Sequence, residues 1–145
     1  MSIYGESSDK FIRTMLDAAN KCTHPSEEEG GVIIDKNGEF EFIKLKNNHA
    51  GTSTAVGLYH ADDKELNELV FPKIKDGWRF YSSFHTHPSF QATPSSLDLS
   101  TLFDGFKYNV IYSILTQKFS YSEWVGDESM ICYIPKATLE KALKK

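Results

Sequence analysis

From Trp78 to His87 the residues alternate, which sets Trp78, Phe80, Ser82 and Phe84 on one face of a β-strand and Arg79, Tyr81, Ser83, His85 and His87 on the other. Alternate positions on a strand lie about 6.5–7 Å apart with their side chains on the same face, so this strand delivers both histidines together. Any fold for the chain has to supply a sheet around that strand and a loop that returns to its histidine end.

The flanking sequence supplies the other elements. Phe11 to Ala19 carries apolar residues at helical spacing behind Ser8 and Asp9, which predicts an amphipathic opening helix that stops before His24-Pro25. Val32-Ile33-Ile34 and Phe40-Glu41-Phe42-Ile43 flank Asp35-Lys36-Asn37-Gly38, the signal of two strands joined by a tight turn. A third strand is expected over Thr52 to Tyr59, and a helix over Asp62 to Val70, capped by an Asp and ended by Pro72. Leu97 to Phe103 suits a short helix with Ser95 or Ser96 at its cap and Gly105 closing it. The runs Asn109–Leu115 and Met130–Ile134 are nearly continuously apolar, which predicts central strands covered on both faces. Phe119 to Val125 alternates between them, and Ala137 to Lys145 reads as a closing helix with a solvated lysine face.

No repeat, low-complexity tract or linker interrupts this order, so residues 1–145 are expected to form one layered α/β domain. The 40% apolar and 25% charged residues match a soluble globular protein. The net charge of -4 is mild and the Lys and Arg residues are scattered, which disfavours nucleic acid and anionic lipid as partners. The first residues lack a basic segment followed by an apolar run, and no apolar stretch reaches membrane-spanning length, so the expectation is a soluble, cytoplasmic protein. Cys22 and Cys132, without a secretion signal, are expected to be reduced thiols.

The chemistry lies between Phe84 and Asp98. His85, His87 and Asp98 are all zinc-ligand types, and zinc accepts imidazole nitrogen at about 2.0–2.1 Å and carboxylate oxygen at about 2.0–2.2 Å. Three protein ligands leave a fourth position open for water, the pattern of a catalytic rather than a structural site. Ser95 lies three residues before Asp98, on the same face of a helical turn, where its hydroxyl can stabilise a developing oxyanion. Alone, a His-X-His pair is an ordinary strand feature and Ser-X-X-Asp an ordinary helix cap. Joined at this spacing they point to a metal centre. Cys22-Thr23-His24 lacks further ligands and reads as a helix end, while His49 and His60 read as loop residues. The helical His-Glu-X-X-His motif, the zinc deaminase pattern and phosphate-cradling glycine loops are missing.

His85-Thr86-His87-Pro88 followed by Ser95 and Asp98 resembles the motif of the JAMM peptidases, also called MPN-plus or JAB domains. Glu28-Glu29-Gly30-Gly31-Val32-Ile33-Ile34 is similar to the family's upstream glutamate segment. The tract Glu27-Glu28-Glu29 leaves the register open by one place in either direction, and Glu28, with glycine three residues on, fits best. The resemblance implies an α/β JAMM-like fold, a mixed curved β-sheet flanked by helices, in a compact chain of prokaryotic type. It implies Zn2+ held by His85, His87 and Asp98, with Glu28 as general base and Ser95 assisting the tetrahedral intermediate. It further implies hydrolysis of a peptide or isopeptide bond in a protein or peptide substrate, with a ubiquitin-like tail as one candidate. Two alternatives stay open: a non-catalytic scaffold, discriminated by metal content, and a peptidase for small peptides or amides. A broad hydrophobic surface beside the metal, near Ala50 to Phe71, would favour a protein tail over a small molecule.

Overall fold

The computed structural model describes residues 6–89, 106–125 and 128–144. Helix α1 (Glu6–Lys21) forms as the periodicity predicts, burying Phe11, Ile12, Met15, Ala18 and Ala19 along one stripe. Strands β1 (Gly30–Lys36) and β2 (Glu39–Leu45) follow as a hairpin. Its two-residue turn puts both Asn37 and Gly38 at positive φ, 51° and 82°, the conformation for which Asn-Gly is suited.

The segment after β2 departs from expectation. Thr52 to Tyr59 forms no strand; it holds a short 3₁₀ turn (Ser53–Val56), and pairing is limited to a single bridge between Asn47 and Ala61. Ala55 is the one fully covered residue of that 3₁₀ turn, so burial there lacks the period of two that would reward a strand. Asp62 caps the following helix by accepting from the Glu65 amide at 3.1 Å, as predicted. Pro72, however, does not end it. Helix α2 (Asp63–Glu65) widens into a π turn (Leu66–Val70) and resumes as α3 (Phe71–Lys75). Pro72 therefore falls in the first turn of a fresh helical segment, where a missing N–H is tolerated.

Strand β3 (Arg79–His87) carries the histidines, but its faces are not those simple alternation gives. Pairing with β1 moves from Ile33↔Ser82 to Ile34↔Phe80, leaving Tyr81 as the extra residue of a β-bulge. Trp78 and Phe80 thereby join the cluster of Val32, Ile34 and Leu45 on the histidine face. Tyr81 turns to the opposite face with Phe84 and packs edge-on against Phe11 of α1, ring centroids 5.0 Å apart.

The remaining strands are β4 (Tyr108–Ser113), β5 (Lys118–Val125) and β6 (Glu128–Pro135), followed by α4 (Lys136–Ala142). They complete a six-stranded sheet of order β2-β1-β3-β4-β5-β6, in which β3 and β4 run parallel and every other neighbouring pair antiparallel. A parallel pair needs a crossover of a dozen or more residues, which the chain between His87 and Tyr108 provides. The helix expected over Leu97 to Phe103 falls in that crossover and lies outside the described residues.

β4 is buried at all six positions, as predicted for a central strand. β6 is not central. It is the sheet edge, and Met130 and Tyr133 are about half exposed, 49% and 51%. Helices flank the sheet: α1 and α4 cover one face, bringing Phe11 and Leu139 into one cluster with Phe84, Tyr108 and Phe119, while the π turn and α3 cover part of the other through Val70 and Ile74. Among the described residues no helix is long and apolar enough to cross a membrane.

Candidate metal site

The histidine face of β3 meets the start of β1 at close quarters. Gly30 sits opposite His85, and a Cβ there would fall 2.2 Å from the Phe84 carbonyl and 2.8 Å from the His85 Cβ. Gly31 is confined from the other side, where a Cβ would meet the Ile43 carbonyl at 2.0 Å. The two glycines let the backbone of β1 pass close against both neighbours just after the glutamate tract. Thr86 adds a tie: its amide donates to the Glu29 carbonyl at 2.7 Å, and its hydroxyl accepts from the Glu29 amide at 3.0 Å.

The three consecutive glutamates then part company. Glu27 accepts from the Gly51 amide at 3.1 Å. Glu29 accepts from the His24 amide at 2.8 Å and pairs with Lys44 at 2.9 Å. Glu28 is buried, 6% exposed, with its carboxylate oxygens 3.7 Å from His85 Nε2 and 4.0 Å from His87 Nε2. The backbone of Glu28 is held by its neighbours, its amide donating to the Ala55 carbonyl at 2.7 Å and its carbonyl accepting from Asn47 Nδ2 at 2.9 Å.

His85 Nε2 and His87 Nε2 lie 3.2 Å apart. Two nitrogens bound to one tetrahedral zinc lie about 3.3–3.4 Å apart, as follows from bonds of about 2.0–2.1 Å. The observed spacing fits a shared ion. Donor atoms of Glu28, His85 and His87 all fall within 4.8 Å of one another, so this group can hold a metal ion. The expected third ligand, Asp98, and the expected oxyanion donor, Ser95, lie outside the described residues.

Two contributors have no motif in the sequence. Asn47 is buried and links Glu28 to the loop behind it, donating to the carbonyls of Glu28 and Leu58 and accepting from the amides of His49 and His60. It sits in Lys46-Asn47-Asn48, which reads as ordinary turn sequence. Tyr59 stacks on His85 with ring planes 7° apart and centroids at 6.0 Å. Its hydroxyl donates to the Leu45 carbonyl at 2.8 Å, and burial raises its pKa, which keeps it a neutral donor.

The residues set aside in the sequence stay apart from this cluster. Cys22 ends its helix buried and free, its thiol pushed up to about 12 by burial. Cys132 is also free. His24 Nδ1 accepts from the amides of Ser26 and Glu27, folding the turn that leads into the glutamates. Beside the site, a cavity of about 390 Å³ has His85, Tyr59, Leu58, Ala61, Leu66 and Phe80 among its walls.

The family described as prokaryotic homologs of the JAB domain matches residues 9–125, most of the chain. This protein belongs to that family. The solution structure of a protein from Desulfitobacterium hafniense is similar at a TM-score of 0.58 and 21% sequence identity, with 85% of each chain covered, which bears on the fold. No curated protein matches the sequence.

Proposed function

We propose that this JAB-family domain is a zinc-dependent peptidase that hydrolyses a peptide or isopeptide bond in an exposed protein tail. One observation carries the reading: the buried Glu28 carboxylate faces two imidazole nitrogens spaced as ligands of a single ion. His85 and His87 would hold zinc, with Asp98 completing the set. Bound zinc supplies Lewis acidity, which polarises a carbonyl and makes water nucleophilic near neutral pH.

Glu28 serves as the base. Its oxygens stand a few tenths of an ångström farther from the histidine nitrogens than ligand atoms stand from one another, a position suited to accepting a proton from the attacking water. The same carboxyl then returns the proton to the leaving amine. Ser95 would donate to the oxygen that becomes negative in the tetrahedral intermediate.

The apolar cavity next to His85 includes Leu58, Tyr59, Ala61, Leu66 and Phe71, inside the stretch where an apolar surface favours a protein tail over a small amide. A ubiquitin-like tail is the leading candidate. The test is hydrolysis of ubiquitin-like fusions and isopeptide conjugates by the zinc-loaded wild type and Glu28→Gln. The expected outcome is a kcat lowered by about 10²–10⁴-fold with zinc content unchanged. Equal turnover by the two proteins would reject Glu28 as the base. A wild type that holds zinc and cleaves none of the panel would turn the reading toward a scaffold.

A further inference from the structure

The cavity beside His85 shares a wall with the candidate metal centre. The imidazole whose Nε2 faces His87 and Glu28 also lines the cavity, so a substrate bond held at that nitrogen cluster brings its neighbouring side chains to the cavity mouth. We infer that this cavity is a specificity pocket that receives a leucine- or phenylalanine-sized apolar side chain of the substrate, close to the scissile bond. The inference rests on the peptidase reading for its occupant, while the pocket itself can be tested without turnover.

Three observations select an apolar occupant. The walls are formed mainly by Leu58, Tyr59, Ala61, Leu66, Phe80 and Phe106, which offer hydrocarbon and ring faces. The polar groups that reach the interior are already engaged: Ser83 donates to Asn109 Oδ1 at 2.6 Å, and the Tyr59 hydroxyl donates to the Leu45 carbonyl at 2.8 Å. A charged or amide side chain entering there would lose water without gaining partners. Besides His85 and the engaged Tyr59, the ionisable wall residues are His60 and Asp63, both exposed and therefore at the rim.

Size agrees. About 390 Å³ lies at the lower end of the range typical of small-ligand sites and leaves room for a large aliphatic or aromatic side chain with part of its backbone. A glycine at that substrate position would leave the volume unfilled and its apolar walls wet.

The test uses the wild-type protein with methyl-labelled Leu, Val and Ala, titrated with N-acetyl-leucinamide and with N-acetyl-glycinamide and followed by methyl chemical shifts. The proposal predicts saturable shifts at Leu58, Ala61 and Leu66, with the leucine probe binding about tenfold more tightly than the glycine probe. It also predicts that Ala61→Trp, or Leu66→Trp should the first fail to fold, abolishes the shifts. Absent shifts, equal binding of the two probes, or shifts that survive a folded tryptophan variant would overturn it. Binding by a protein that hydrolyses nothing would refute the peptidase reading and leave the pocket standing. Hydrolysis without probe binding would do the reverse.

Discussion

At the scale of single residues, the site depends on groups whose roles come from where they are held. Glu27, Glu28 and Glu29 are chemically identical, and their partners separate them: a loop amide for the first, two imidazoles for the second, Lys44 and the His24 amide for the third. The two histidines were legible in the sequence because alternation on a strand fixes their common face whatever the rest of the chain does. The glutamate was legible only to within one place, because its register depends on β1 pairing with β3. Asn47 was not legible at all, since its four hydrogen bonds join segments that meet only in the fold. Asn47→Ala is expected to cost about 1–3 kcal/mol, because buried carbonyls and amides lose their partner. It is also expected to lower kcat with zinc content unchanged, since Glu28 loses its backbone support. Urea unfolding beside a turnover assay reads both, and a loss below about 0.5 kcal/mol would mean that water replaces the amide at little cost.

At the scale of elements, the Asn-Gly hairpin followed from local rules, because the turn's positive φ angles are a demand on two adjacent residues. The bulge at Tyr81 did not. A one-residue slip is decided by which neighbours the strand finds, and here it lets Phe80 pack below the site while Tyr81 meets Phe11 on the helix side. The edge position of β6 was hidden for a similar reason, since an apolar run reports a taste for burial and not the order of strands. Close approach of β1 and β3 is what the candidate metal site requires at the level of elements. Gly30→Ala places a methyl against the Phe84 carbonyl and the His85 Cβ, and is expected to cost about 1–3 kcal/mol and to weaken zinc retention. Gly38→Ala makes the control: it strains a turn at φ +82° with nothing within 4 Å, so it should cost about 1 kcal/mol and leave zinc untouched. Equal zinc affinity in the two variants, by competition with a chromogenic chelator, would contradict that division.

For the whole molecule, the sheet separates two tasks. The face toward α1 and α4 carries Phe84, Tyr108, Val110, Tyr112 and Phe119 and buries the larger apolar cluster. The opposite face carries His85 and His87, with Glu28 at the head of the neighbouring strand, and beside them the cavity. The larger core and the candidate metal site thus lie on opposite sides of β3, with Phe84 in the first and His85 in the second. The layered α/β class and the strand that carries both histidines could be read from local periodicity. The loop from Lys46 to Asp62, which lines the cavity and supports both Glu28 and His85, could not, because it lacks regular period and earns its conformation through Asn47 and Tyr59. Everything proposed for the site depends on His85 and His87 holding a metal ion with Glu28 beside it. Zinc content by elemental analysis of purified wild type, His85→Ala and Glu28→Gln, each checked for folding, tests it most directly. The expected result is about one zinc per chain in the wild type and in Glu28→Gln, and little in His85→Ala. A folded wild type that holds no zinc after the metal is supplied, or a His85→Ala variant that keeps it, would rule out a metal centre at these residues.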